Sequence, residues 1–179
     1  RHSRGVVSKM SQTQVERLFI ADKTSLMVDM WRLHTNITIG SGATTDITAN
    51  LERVDSDGFA LLGTGMSESS GIFTFPSTGF YKITANGYWF RNSSASGFNG
   101  VNIYTTTDNS TYNAAAFAFQ SVPDNANYYS ATTAHFFLDV TNTTNVKVKF
   151  AHQTQGSCIL GGASGDNRTY FLFEKMGDT

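Results

Sequence analysis

The sequence predicts an all-β protein, an antiparallel sandwich or barrel of roughly eight to ten short strands. Three observations carry this. Thr (23 residues), Phe (14) and Tyr (7) are abundant and suit the pleated, half-buried surface of a sheet. From Asp29 onward, apolar residues recur with period two, which places them on one face of a strand. Clusters of Gly, Asn, Asp, Ser and Pro interrupt these runs, with no helical stretch between them to build a parallel βαβ unit.

Residues 1–9 are open to two readings, a vector-derived scar ahead of a start at Met10 or native chain. They lack the apolar core of a signal peptide. Residues 11–28 are the most charged and least β-like part. Val15, Leu18, Phe19 and Leu26 fall loosely at helical spacing. Residues 1–28 are therefore expected to form a short N-terminal arm outside the sheets, helical or extended, that docks on a partner. The head domain is expected over 29–179.

Trp31, Leu33, Ile37 and Ile39 mark the first strand region, and Gly40–Thr45 reads as a loop. Ile47–Val54 reads as a strand closed by Asp55-Ser56-Asp57-Gly58, where Asp starts the bend and Gly accepts positive φ. Ile72–Phe75 leads into a turn at Pro76-Ser77-Thr78-Gly79, with positive φ expected at Gly79, and then into a long strand, Phe80–Phe90. Further strands are read at Gly100–Thr105, around Phe117 and Phe119, at Tyr128–Val140, at Val146–Phe150 and at Thr169–Glu174. Gly156–Arg168 reads as a Gly-rich loop.

Two of these strands are apolar on both sides. In Phe80–Phe90, Tyr81, Ile83, Ala85 and Trp89 share one face, and Phe80, Tyr88 and Phe90 share the other. In the last strand, Phe171 and Phe173 oppose Tyr170 and Leu172. One face can fill the core. The other, Phe80, Tyr88, Phe90, Tyr170 and Leu172, needs cover, and a subunit interface is the expected supplier.

Composition excludes several classes. Only 15% of residues are charged, and the net charge is −1, so no basic field exists to attract nucleic acid or anionic lipid. Ser, Thr and Asn together supply 54 residues and make the surface polar but mostly neutral. No apolar run approaches the ~20 residues a membrane helix needs, so no membrane insertion is expected. A single cysteine, Cys158, rules out an internal disulfide framework.

The stretch Ser70-Gly71-Ile72-Phe73-Thr74-Phe75-Pro76-Ser77-Thr78-Gly79-Phe80-Tyr81 resembles the Gly-x-Phe-x-x-Pro-x-x-Gly-x-Tyr signature of the complement-q globular head family. That family shares its jelly roll with tumour necrosis factor. Residues 47–54, the strand–turn–strand order at 134–150 and the closing Thr169–Phe173 run fit the same pattern, although the family's glycine in the last strand is absent. The similarity covers roughly 29–177. It implies an antiparallel jelly roll and a homotrimer, and it carries no catalytic residue across. Residues 15–22 and 104–112 are similar to segments of bacteriophage structural proteins. This looser similarity implies a virion surface protein, either a capsid cement or a fibre head, assembled in the host cytoplasm. Its partners would be other virion proteins held through the arm.

Reactive chemistry is sparse. Glu52, Asp55, Asp57 and Gly58 hold part of a calcium-loop pattern, but the distal bidentate Glu is missing, so a plain turn is expected. His152 and Cys158 lack a third group to orient the imidazole, and His34, His135 and His152 lack metal-ligand spacing. No nucleophile elbow or phosphate loop occurs. The expectation is a non-enzymatic protein without metal or cofactor. Tyr128 and Tyr129 beside Asn125 and Asn127 form the best local cluster for binding a glycan, the alternative role being a receptor-binding tip that recognises a host-surface glycan or protein.

Overall fold

The computed structural model describes residues 11, 13, 26–42, 44–125 and 127–179. Val15, Leu18 and Phe19 of the expected arm lie outside the described residues, and Leu26 is exposed. The described chain runs through β1 (Met27–Leu33), β2 (Thr35–Ile39), β3 (Thr44–Asp46), β4 (Leu51–Arg53), β5 (Ser67–Ser69), β6 (Ile72–Thr74) and β7 (Gly79–Arg91). It continues through β8 (Ser96–Thr106), β9 (Asn113–Val122), β10 (Tyr129–Val140), β11 (Lys147–Thr154), β12 (Cys158–Ala163) and β13 (Tyr170–Gly177). β1 thus starts two residues ahead of Asp29.

Two antiparallel sheets form a jelly-roll sandwich. The first has the order β2-β12-β7-β13-β1-β4, with β10 also paired to β7. β10 runs along β7 from Gly79 to Phe90, while β13 and β12 take successive stretches of its other edge. The second sheet has the order β5-β6-β11-β8-β9, with β3 also on β11. The strand count among the described residues is thirteen, above the expected eight to ten, because several connections carry three-residue strands. The expected Ile47–Val54 strand is one such case. Only Leu51–Arg53 is a strand, while Ile47 is buried in the core and its N–H donates to the Phe150 carbonyl.

The core is aromatic. Phe150 stacks on Phe171 with ring centroids 4.0 Å apart, and Phe73 meets Phe150 edge-on at 5.5 Å. All odd-numbered residues of β7 from 79 to 91 except Arg91 are buried, as the period-two reading requires. The 70–81 stretch works as a clamp. The rings of Phe75 and Tyr81 lie 4.7 Å apart, and the Tyr81 hydroxyl donates to the Ser77 carbonyl at 3.0 Å, which pins the turn to the core.

The Gly156–Arg168 stretch corrects the sequence reading. Cys158–Ala163 is a strand, β12, and the two glycines in it, Gly161 and Gly162, serve close approach rather than a turn. A Cβ at Gly162 would come within 2.5 Å of the Thr35 carbonyl, and one at Gly161 within 2.6 Å of the Tyr88 ring.

Candidate functional site

The outward face of the first sheet gathers the residues that sequence alternation set aside. On β7, Phe80, Lys82, Thr84, Asn86, Tyr88 and Phe90 alternate with the core positions. Leu172 of β13 pairs with Thr84, and Tyr170 with Asn86. On β10, Phe137 pairs with Lys82 and Tyr129 with Phe90. Phe80 is 46% and Phe137 63% exposed, whereas Tyr88, Phe90, Tyr170 and Leu172 are half-buried. Phe137 was missed because its strand reads as polar on that side, at Thr133, His135 and Asp139.

Polar groups on this face pair with one another. Lys82 Nζ donates to Glu174 at 2.8 Å. Thr84 Oγ1 and His135 Nδ1 lie 3.0 Å apart, and Thr133 donates to Asn86 Oδ1 at 2.9 Å. Each of these side chains already has a partner on the face, which lowers the cost of burying it.

At one end the face turns into an open groove of about 630 Å³, lined by Asn86, Tyr88, Phe90, Tyr129, Asp166, Asn167 and Arg168. Tyr88 and Tyr129 stack nearly parallel, with centroids 5.5 Å apart and planes at 15°, and Phe90 meets Tyr129 at 5.9 Å. Gly161 leaves the space that Tyr88 and Phe90 occupy against β12. Opposite, Arg168 forks onto Asp166 with contacts of 2.8 and 3.2 Å. Burial, helped by the Tyr129 phenol, pushes the Tyr88 phenol above its ordinary pKa.

Of the four residues in the sequence-stated ligand cluster, only Tyr129 lines this groove. Asn125 Oδ1 accepts from the Asn127 N–H at 3.0 Å, so both residues build the turn itself. Tyr128 is exposed. The groove was illegible beforehand because its walls come from 86–90, 129 and 166–168, segments far apart in sequence.

The carboxylates of the partial calcium pattern have another occupant. Arg32, 1% exposed, donates to Glu52 at 2.7 Å, to Asp55 at 2.9 Å and to Ser56 Oγ at 2.8 Å. Among the described residues no group of three or more His, Cys, Asp or Glu side chains is placed to hold a metal. His152 and Cys158 do not form a pair, since the Cys158 thiol donates to Thr154 Oγ1 at 3.5 Å. Burial raises the thiol's pKa and lowers that of the imidazole, the reverse of what an activated nucleophile and its base would need at a catalytic site.

Comparison with solved structures places the sandwich in the tumour-necrosis-factor-like jelly-roll class. The chain is similar to murine APRIL, at 13% identity over 84% of this chain and 99% of that one, with a TM-score of 0.59. It is also similar to Eiger TNF from S. frugiperda, at 10% identity over 87% of this chain and 95% of that one, with a TM-score of 0.61. At these identities the likeness is one of fold. No family model and no curated protein matches the sequence.

Proposed function

We propose that the chain is a non-enzymatic head that forms a homotrimer through the outward face of its first sheet and serves as a virion surface protein of a bacteriophage. The observation that carries the trimer is the doubly apolar β7–β13 pair. Its outer side presents Phe80, Tyr88, Phe90, Tyr170 and Leu172, joined by Phe137, on a face where Lys82, Thr84 and Asn86 already have polar partners. Burying each such side chain contributes roughly 1.5–3 kcal/mol, enough in aggregate to hold subunits together. The jelly-roll neighbours agree with a head of this kind. The virion placement, as cement or fibre head, rests on the similarity of 15–22 and 104–112 to phage structural proteins. Attachment falls to the N-terminal segment with Val15, Leu18, Phe19 and Leu26.

Light scattering at micromolar concentration tests the trimer. Three times the subunit mass is expected for the unaltered chain and a monomer for Leu172→Asp; a monomeric unaltered chain overturns the reading. Deletion of residues 1–25, which leaves β1 whole, tests attachment. The shortened head should keep its melting temperature and lose incorporation into particles. Loss of folding would assign the segment to the head instead.

A further inference from the structure

We propose that the groove between the Tyr88, Phe90 and Tyr129 rings and the 166–168 segment binds an uncharged pyranose unit of a polysaccharide. The inference deepens the virion reading by giving the head a ligand. It requires the trimer interface to leave this end of the face open, with Tyr88 and Phe90 at its margin.

The groove has the two kinds of surface a sugar ring needs. Pyranoses carry C–H groups on their faces and hydroxyls around their edges. Tyr129, 58% exposed and stacked on Tyr88, offers a flat ring for the C–H face. Asp166, Asn167, Arg168 and Asn86 bring a carboxylate, two amides and a guanidinium to the same cavity, groups that match hydroxyl donors and acceptors in pairs.

The polar wall is held in place before any ligand arrives. Arg168 and Asp166 fix each other as a fork. Asn86 is fixed by Thr133 on one side and by its own 2.8 Å bond to the Arg168 carbonyl on the other. Asn86 therefore has little freedom left to lose on binding, while the exposed Asp166–Arg168 pair keeps more.

Charge decides the class of sugar. Asp166 and Arg168 neutralise each other, so the groove offers no net field to a phosphate, sulfate or carboxylate substituent. A volume of about 630 Å³ lies within the range of ordinary ligand sites, and the open shape suits one unit of a longer chain better than an enclosed small molecule.

The test is an array of neutral and anionic glycans probed with the full chain, followed by saturation-transfer NMR on any neutral oligosaccharide retained. Retention of neutral glycans is expected, with transfer from aromatic protons to pyranose C–H groups. Tyr129→Ala should weaken binding at least about tenfold. Phe117→Ala, which removes an exposed ring on the other sheet, should not. Retention of no neutral glycan overturns the proposal, as does retention that Tyr129→Ala leaves unchanged or that selects anionic glycans. If Tyr129→Ala instead converts a trimer into monomers, the groove is a subunit contact. The trimer then stands and the sugar site falls.

Discussion

Arg32 donates to Glu52 at 2.7 Å from a position that is 1% exposed, and this contact ties β1 to its neighbour β4. The same guanidinium reaches Asp55 and Ser56, so the 52–56 segment folds around a cation belonging to the chain itself. A guanidinium at 1% exposure that loses a charged partner exchanges a charge-assisted hydrogen bond for a weaker one. Glu52→Ala should therefore cost about 1.5–3 kcal/mol in urea denaturation. Glu52→Gln, which keeps an acceptor oxygen, should cost less. Equal stability for the Ala variant would show that Asp55 and Ser56 satisfy Arg32 alone.

Gly79 has φ +139°, and a Cβ there would overlap the Lys175 side chain and the Gly177 carbonyl. Gly79→Val should cost more than ~1 kcal/mol from backbone strain, with the steric overlap added to it. Phe75, 2% exposed against Tyr81, should cost roughly 3–5 kcal/mol as Phe75→Ala. Thermal melts of both variants check the clamp at 70–81. Two unchanged melting temperatures would remove it as the anchor of the turn.

The contrast between β7 and β12 shows where sequence reading works. In β7 the alternation of Tyr81, Ile83, Ala85 and Trp89 with Phe80, Tyr88 and Phe90 reports both faces, because side chains on a strand point to opposite sides in turn. In β12 the pair Gly161-Gly162 reads as a loop, since glycine usually marks a turn. The reason for these glycines is space beneath Tyr88 and beside Thr35, which depends on strands that sequence does not bring together. The acidic turn at 52–58 shows a related limit. Its spacing is visible, but its occupant, Arg32, stands twenty residues earlier than Glu52 on another strand.

Cys158 is fully buried, and burial pushes its thiol above the ordinary value of 9.0. The thiolate is the reactive form, so an aromatic disulfide reagent at pH 8 should leave the folded chain untouched and modify it on unfolding in urea. The shift also carries a stability term. A raised folded pKa contributes stability below pH 9.0 that is lost as pH rises past it. Rapid labelling of the native protein would place the thiol within reach of solvent.

His152 gives the acid-side counterpart. It is 6% exposed, its Nδ1 has no hydrogen-bond partner among the described residues, and burial pushes its pKa below 6.5, opposed in part by the nearby Asp46 carboxylate. The folded chain therefore holds the ring neutral, while the unfolded chain takes up a proton near pH 6.5. Between the folded pKa and 6.5 the unfolded state binds more protons, so stability rises with pH across that window. The contribution is fully present above the unfolded pKa and is lost as pH falls below it. Asp108 acts lower on the scale. Hydrogen bonds from the Thr111 N–H, the Thr106 hydroxyl and the Ser110 N–H hold its carboxyl well below the ordinary carboxylate range, so its contribution is lost only in stronger acid. A melting-temperature series from about pH 7.5 to 5 spans this window, and comparison with a His152 variant separates it from the other three histidines. The unaltered chain should lose melting temperature steadily on acidification, and His152→Gln, which cannot take up the proton, should give a flatter curve. Parallel curves for the two proteins would mean that the folded chain accepts the proton at His152 without cost, and the buried neutral imidazole would have to be given up.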